Sequence, residues 1–126
     1  MTNEGSNVTR ARTEVHFTED ELALLDRARG TLDRQPFCRQ AAWWVARLKL
    51  RQPNFHHGVS IPRRGAWRSE GREVEARFDV VFTDAEQRQL VNQARGELSL
   101  SAFVYAASIT YARLMIDVAT VHGLDI

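Results

Sequence analysis

With 126 residues, 44% of them apolar, and a net charge of +1, the chain can bury a real core and is too evenly charged to be a basic coat for nucleic acid. It has no apolar run of about 18 residues, and Met1 to Arg12 is polar, so no membrane span or secretory leader is expected and the reading is a soluble, cytoplasmic protein. The one cysteine, Cys38, excludes an internal disulfide framework and a cysteine zinc site.

Residues 1–11 form a polar arm with nothing to bury. A strand is predicted over Arg12 to Phe17, with Thr13, Val15 and Phe17 toward the core and Arg12, Glu14 and His16 on the other face. Thr18 and Glu21 then make a capping box, and Leu22, Leu25 and Ala28 form the buried stripe of a first helix whose opening acids suit the positive end of its dipole. Asp33 is placed to cap a second helix from Arg34 to about Leu50, with Pro36 in the first turn, where an N–H has no intrahelical partner. Its core stripe reads Phe37, Ala41, Trp44, Val45 and Leu48. Trp43 and its counterpart Ile109 fall off that stripe, marking either a surface that a protein partner would use or, as the plainer account, a partly covered aromatic at a helix flank. Cys38 lies at this helix start, where a dipole can lower a thiol pKa; a small buried residue is the plainer account.

Residues 51–72 contain Pro53, Gly58, Pro62, Gly65 and Gly71 and cannot be one regular element. Phe55, Val59, Ile61 and Trp67 are too apolar for a free linker and are expected to lie against the helices. This stretch also holds the positive charge: Lys49, Arg51, Arg63, Arg64, Arg68 and Arg72 against Glu70 give +5 over 49–72. Arg63, Arg64 and Arg68, beside Trp67, are therefore candidate phosphate contacts. His56 and His57 point apart in an extended chain and have no third ligand nearby, so no metal is expected.

After the linker, Val74, Ala76, Phe78, Val80 and Phe82 alternate with Glu75, Arg77, Asp79 and Val81, the period-two pattern of a strand with one covered face. Thr83-Asp84-Ala85-Glu86 matches a capping box, and the helix it opens runs toward Gly96, a C′ residue that tolerates positive φ. Ser99 caps a last helix with Phe103, Ala107, Thr110, Tyr111 and Leu114 on its apolar face, ending near His122 before Gly123. This half repeats the first. Ala28-Arg29-Gly30 matches Ala94-Arg95-Gly96 at a shift of 66 (96 − 30), as do Phe37 with Phe103, Ala41 with Ala107, and Ala46-Arg47-Leu48 with Ala112-Arg113-Leu114. At the caps the shift is 65 (83 − 18), so one extra residue is expected early in the third helix. A cap, a glycine stop and a helical face all in register point to duplication.

Each half resembles a ribbon-helix-helix module, the fold of MetJ- and Arc-type repressors, CopG-like plasmid regulators and several relaxosome accessory proteins. The resemblance covers roughly 12–50 and 74–118, and the chain divides into modules 12–50 and 73–122, separated by the basic linker 51–72, with 123–126 as a tail. It implies a mainly α fold with a short two-stranded antiparallel ribbon, the tandem modules forming an intramolecular pseudo-dimer. In that family two strands pair into a ribbon that enters the major groove, and the second helices dock their N-termini on phosphates. By the alternation and the resemblance together, Arg12, Glu14, His16, Arg77, Asp79 and Val81 are the base-contacting residues. Arg34, Gln35, Ser99 and Ser101 are the phosphate contacts at the helix starts.

No cofactor motif, phosphate-binding glycine loop or nucleophile elbow occurs, so catalysis is not expected. Two function classes follow. The first is a binder of specific double-stranded DNA sites, as a transcriptional regulator or a relaxosome-type accessory factor, with higher-order self-association on DNA. The second is a protein-interaction module, antitoxin-like or effector-binding, that keeps the fold without DNA. Unlike ribbon strands further predict a directional rather than palindromic subsite.

Overall fold

The computed structural model describes residues 11–56, 58–61 and 73–124. Its elements run β1 (Ala11–Phe17), α1 (Glu19–Ala28), α2 (Arg34–Arg51), β2 (Ala76–Phe82), α3 (Ala85–Ala94) and α4 (Leu100–Val121). The fold is mainly helical, with β1 and β2 paired antiparallel in a two-stranded sheet. One face of the ribbon carries Val15, Phe17, Val80 and Phe82, all fully buried against the helices. The alternation that marked those residues in the sequence is therefore also what closes the core.

Local signals explain most helix ends. Thr18 Oγ1 accepts from the Glu21 N–H at 3.3 Å while Glu21 Oε1 accepts from the Thr18 N–H at 2.9 Å, a complete box. The expected box at Thr83 does not form. The cap of α3 is Asp84, whose carboxylate accepts from the Gln87 N–H at 3.0 Å. The extra residue of the second half is thus Thr83, at the junction of strand and helix rather than inside α3, and the caps Thr18 and Asp84 lie 66 apart (84 − 18) like the later elements. The second strand also starts later than expected. Glu75 N–H still donates to Phe17 O at 2.9 Å, but α1 begins at Glu19 and leaves Val74 no strand partner; Val74 is exposed.

The turns after α1 and α3 use matching chemistry. Gly30 and Gly96 take φ of +59° and +58°, where a Cβ would be strained. Arg29 donates to Leu32 O at 2.8 Å and to Asp26 at 2.8 Å; Arg95 donates to Leu98 O at 2.7 Å and to Asn92 at 3.1 Å. Each guanidinium fastens the turn to the end of the preceding helix.

α4 is the centre of the molecule, packed on α2, α1 and β1. By length and composition it could span a membrane, but here Phe103 to Ile109, Tyr111, Ala112, Ile116 and Ala119 are buried in the protein core. Ile109, expected on a surface, is only 2% exposed, because α4 has neighbours on several sides rather than one. Trp43 is half-buried, with the Arg47 guanidinium 4.9 Å from its ring centre, so the two do not make an exposed partner surface. The stripe of α2 is likewise broader than predicted. Cys38, Ala42 and Ala46 join Phe37, Ala41 and Val45 in the core, where small side chains allow close approach, while Trp44 and Leu48 are half-buried. Burial pushes the Cys38 thiol up to about 12, which suits a packing residue and not a nucleophile. From the linker, Phe55 and Val59 pack on the core as expected and Ile61 is half-buried; Trp67 lies outside the described residues.

Candidate nucleic-acid interface

The strand register defines the outer face of the ribbon. Arg12 stands opposite Val81, Glu14 opposite Asp79, and His16 opposite Arg77. Because Val15 and Val80 point inward, these six side chains share the other face. Glu14 and Asp79 sit at the midpoint, and like charges directly opposed on a sheet repel. Their neighbours offset this. Arg12 Nε is 3.3 Å from Asp79, and His16 Nε2 is 2.8 Å from Glu14. The hydrogen bond with His16, then the charges of His16, Arg77 and Arg12, hold the Glu14 carboxyl below its ordinary range.

About this midpoint the two strands present nearly the same residues. Arg12 and Arg77 lie at diagonal corners, Glu14 and Asp79 share the centre, and the chemistry differs only where His16 stands in one strand and Val81 in the other. The two arginines and two carboxylates of this face balance, so it offers little general attraction to phosphate.

Helix starts flank the ribbon. Ser101, in the first turn of α4, donates through Oγ to the carbonyl of Glu14. On the other side Arg39 of α2 reaches the carbonyl of Val81 at a long 3.4 Å and donates to Gln35 Oε1 at 2.9 Å. Ser99 Oγ accepts from the Ala102 N–H at 3.1 Å, whereas Asp33 caps α2 by position without a side-chain hydrogen bond. Of the four helix-start residues expected on phosphates, Ser101 touches the ribbon directly and Gln35 is linked to it through Arg39, and all four side chains are engaged within the protein.

Arg34 is the most firmly held. Its Nε and Nη2 grip both oxygens of Asp26 at 3.0 and 2.8 Å. Hydrogen bonds from Arg34 and then Arg29 lower the Asp26 carboxyl to about 2, below its ordinary 3.8. A depressed carboxylate pKa stabilises the fold above 3.8, and that contribution is lost as the pH falls through about 2. The paired side chains are 33% and 40% exposed, so solvent screening keeps it to about 1 kcal/mol or less. Asp26→Asn is expected to remove that acid dependence, measured by thermal melts from neutral pH downward. It should also release Arg34 toward solvent.

Sequence reasoning missed Arg39 and the Ser101 bond to the ribbon, since neither lies on a strand or follows a helical stripe. The predicted phosphate contacts Arg63, Arg64 and Arg68 lie outside the described residues. No groups of three His, Cys, Asp or Glu that could hold a metal ion occur among the described residues. No family model, curated protein or solved structure matches the chain.

Proposed function

We propose that this chain binds specific double-stranded DNA sites, laying its two-stranded ribbon in the major groove, with 12–50 and 73–122 acting as tandem ribbon-helix-helix modules of an intramolecular pseudo-dimer. The observation that carries the reading is the ribbon itself: two strands with one face packed on the core through Val15, Phe17, Val80 and Phe82 and the other presenting Arg12, Glu14, His16, Arg77, Asp79 and Val81. A major groove is wide enough for such a ribbon, arginine pairs with guanine O6 and N7, carboxylates accept from cytosine N4, and valine meets a thymine methyl. The glycine turns and arginine fasteners of the two halves, with caps that recur at the same spacing though not with the same hydrogen bonds, support duplication.

The register refines the expected subsite. Arg12 and Arg77 occupy equivalent corners, so the fully directional subsite expected from unlike strands narrows to a near-palindrome whose asymmetry is confined to the bases met by His16 and Val81. A role in transcriptional control or in DNA processing is compatible with such a site. The central carboxylates favour one other reading, a protein-interaction module, because acids repel the phosphate backbone.

The two readings separate on salt. Binding to mixed duplex fragments should weaken with added salt, log K falling against log salt by about 0.9 for each phosphate contact. Asp26→Asn should steepen that slope if the released Arg34 reaches a phosphate. Absence of binding at low salt by the folded protein would leave the interaction module as the reading.

A further inference from the structure

Exposed apolar surface gathers at the end of α4 remote from the ribbon. Val118, Val121 and Leu124 are 41, 81 and 63% exposed. They belong to an ordered helix end: Gly123 takes φ of +70°, its N–H donates to Thr120 O at 3.1 Å, and the Leu124 N–H donates to Ala119 O at 2.8 Å. Leu114, Val118 and Val121 fall on one helical face at i, i+4 and i+7. Beside this ridge lies a cleft of about 230 Å³ between α2 and α4, with apolar walls from Trp44, Leu48, Phe55 and Leu114 and with exposed Arg113 and Asp117 also lining it.

We propose that this surface pairs with a second copy of the chain about a twofold axis, α4 antiparallel to α4, each copy's Val118 and Val121 entering the other's cleft. A ridge and a cleft side by side are self-complementary under such an axis. Charge argues for the same partner. Arg113 and Asp117 are four residues apart on this face, and neither is in an ion pair among the described residues. An axis near Met115 sets each Arg113 opposite the partner's Asp117 and brings Val118 and Val121 to the level of the partner's half-buried Thr110, which lines the cleft. An unrelated apolar partner has no reason to match that alternation of charge.

The site is well separated from the ribbon. Ser101 touches β1, and Val118 lies 17 residues further along α4, about 25 Å at 1.5 Å per residue. Pairing therefore leaves both ribbon faces free, at opposite ends of the assembly. Only the corollary rests on the DNA reading: a dimer of this form would hold two duplex segments rather than two adjacent subsites of one.

Sedimentation of the full chain over a range of concentrations tests the pairing without DNA. The wild-type chain should move toward twice its monomer mass as concentration rises. Val121→Asp should weaken association at least about tenfold, as expected of an apolar anchor, with unchanged circular dichroism. Arg113→Asp should also weaken it, and Arg113→Asp combined with Asp117→Arg should restore it. A wild-type chain that stays monomeric throughout would overturn the proposal, as would a Val121→Asp variant that dimerises equally well. Failure of the double charge swap to restore association would overturn the antiparallel arrangement. A monomer that binds phosphatidylcholine vesicles through Val121 would reassign the surface to lipid.

Discussion

Phe17→Ala is expected to lower the stability of the folded chain by about 3 to 5 kcal/mol, the cost of emptying a buried phenylalanine site. Phe17 is fully buried, its ring 5.7 Å from both Tyr105 and Phe78, so it ties β1 to α4 and to the opposite strand at once. The cavity cannot be filled by sliding the ribbon. A shift of one residue would turn Val15 outward and Glu14 inward. Since domains of this size are stable by about 5 to 15 kcal/mol in total, such a loss is a large share of the whole. Urea unfolding followed by circular dichroism measures it directly; a change under about 1 kcal/mol would mean that the ribbon is not part of the core.

Arg12→Ala and Arg77→Ala carry the largest expected effects on recognition. Each should cost about 1 to 3 kcal/mol in binding to a selected site, provided that arginine pairs with a guanine, and should leave stability nearly unchanged because both side chains are exposed. The two losses should not be equal. Arg12 also neutralises Asp79, at 3.3 Å, so its removal leaves a bare carboxylate at the ribbon centre facing Glu14. Arg12→Ala is therefore expected to be the more damaging, and adding Asp79→Asn should recover part of the loss on any DNA. Titration of a labelled duplex by fluorescence anisotropy would read both effects. Equal losses from the two variants, with no recovery, would show that the Arg12–Asp79 pair has no bearing on binding.

Much of the fold was legible because its signals are local. Val15, Phe17, Val80 and Phe82 alternate as a half-buried strand must, Thr18 and Glu21 have the spacing of a box, and Gly30 and Gly96 stop helices where a positive φ is needed. Thr83 misled because Thr83-x-x-Glu86 has the same spacing. Which of two adjacent capping residues is used depends on where the strand lets go, and that is settled by pairing with β1. Ile109 misled for a different reason: a helical stripe presumes one buried face, and α4 is buried on several.

The candidate site was legible as a set of residues but not as an arrangement. Alternation assigns Arg12, Glu14 and His16 to one face, yet nothing in either strand says that Glu14 will meet Asp79 and not Arg77. The grip of Asp26 on Arg34 spans the turn between two helices, eight residues apart, and matches no periodic spacing. That pair changes how the helix start can be used, because an arginine offered as a phosphate contact is already held by a carboxylate.

The most direct test is selection of binding sites from random duplexes by the full chain. The expected result is an enriched near-palindrome whose two halves agree at the bases met by Arg12 and Arg77 and differ at those met by His16 and Val81, with Arg77→Ala relaxing one half only. Failure of the folded protein to enrich any sequence would contradict it.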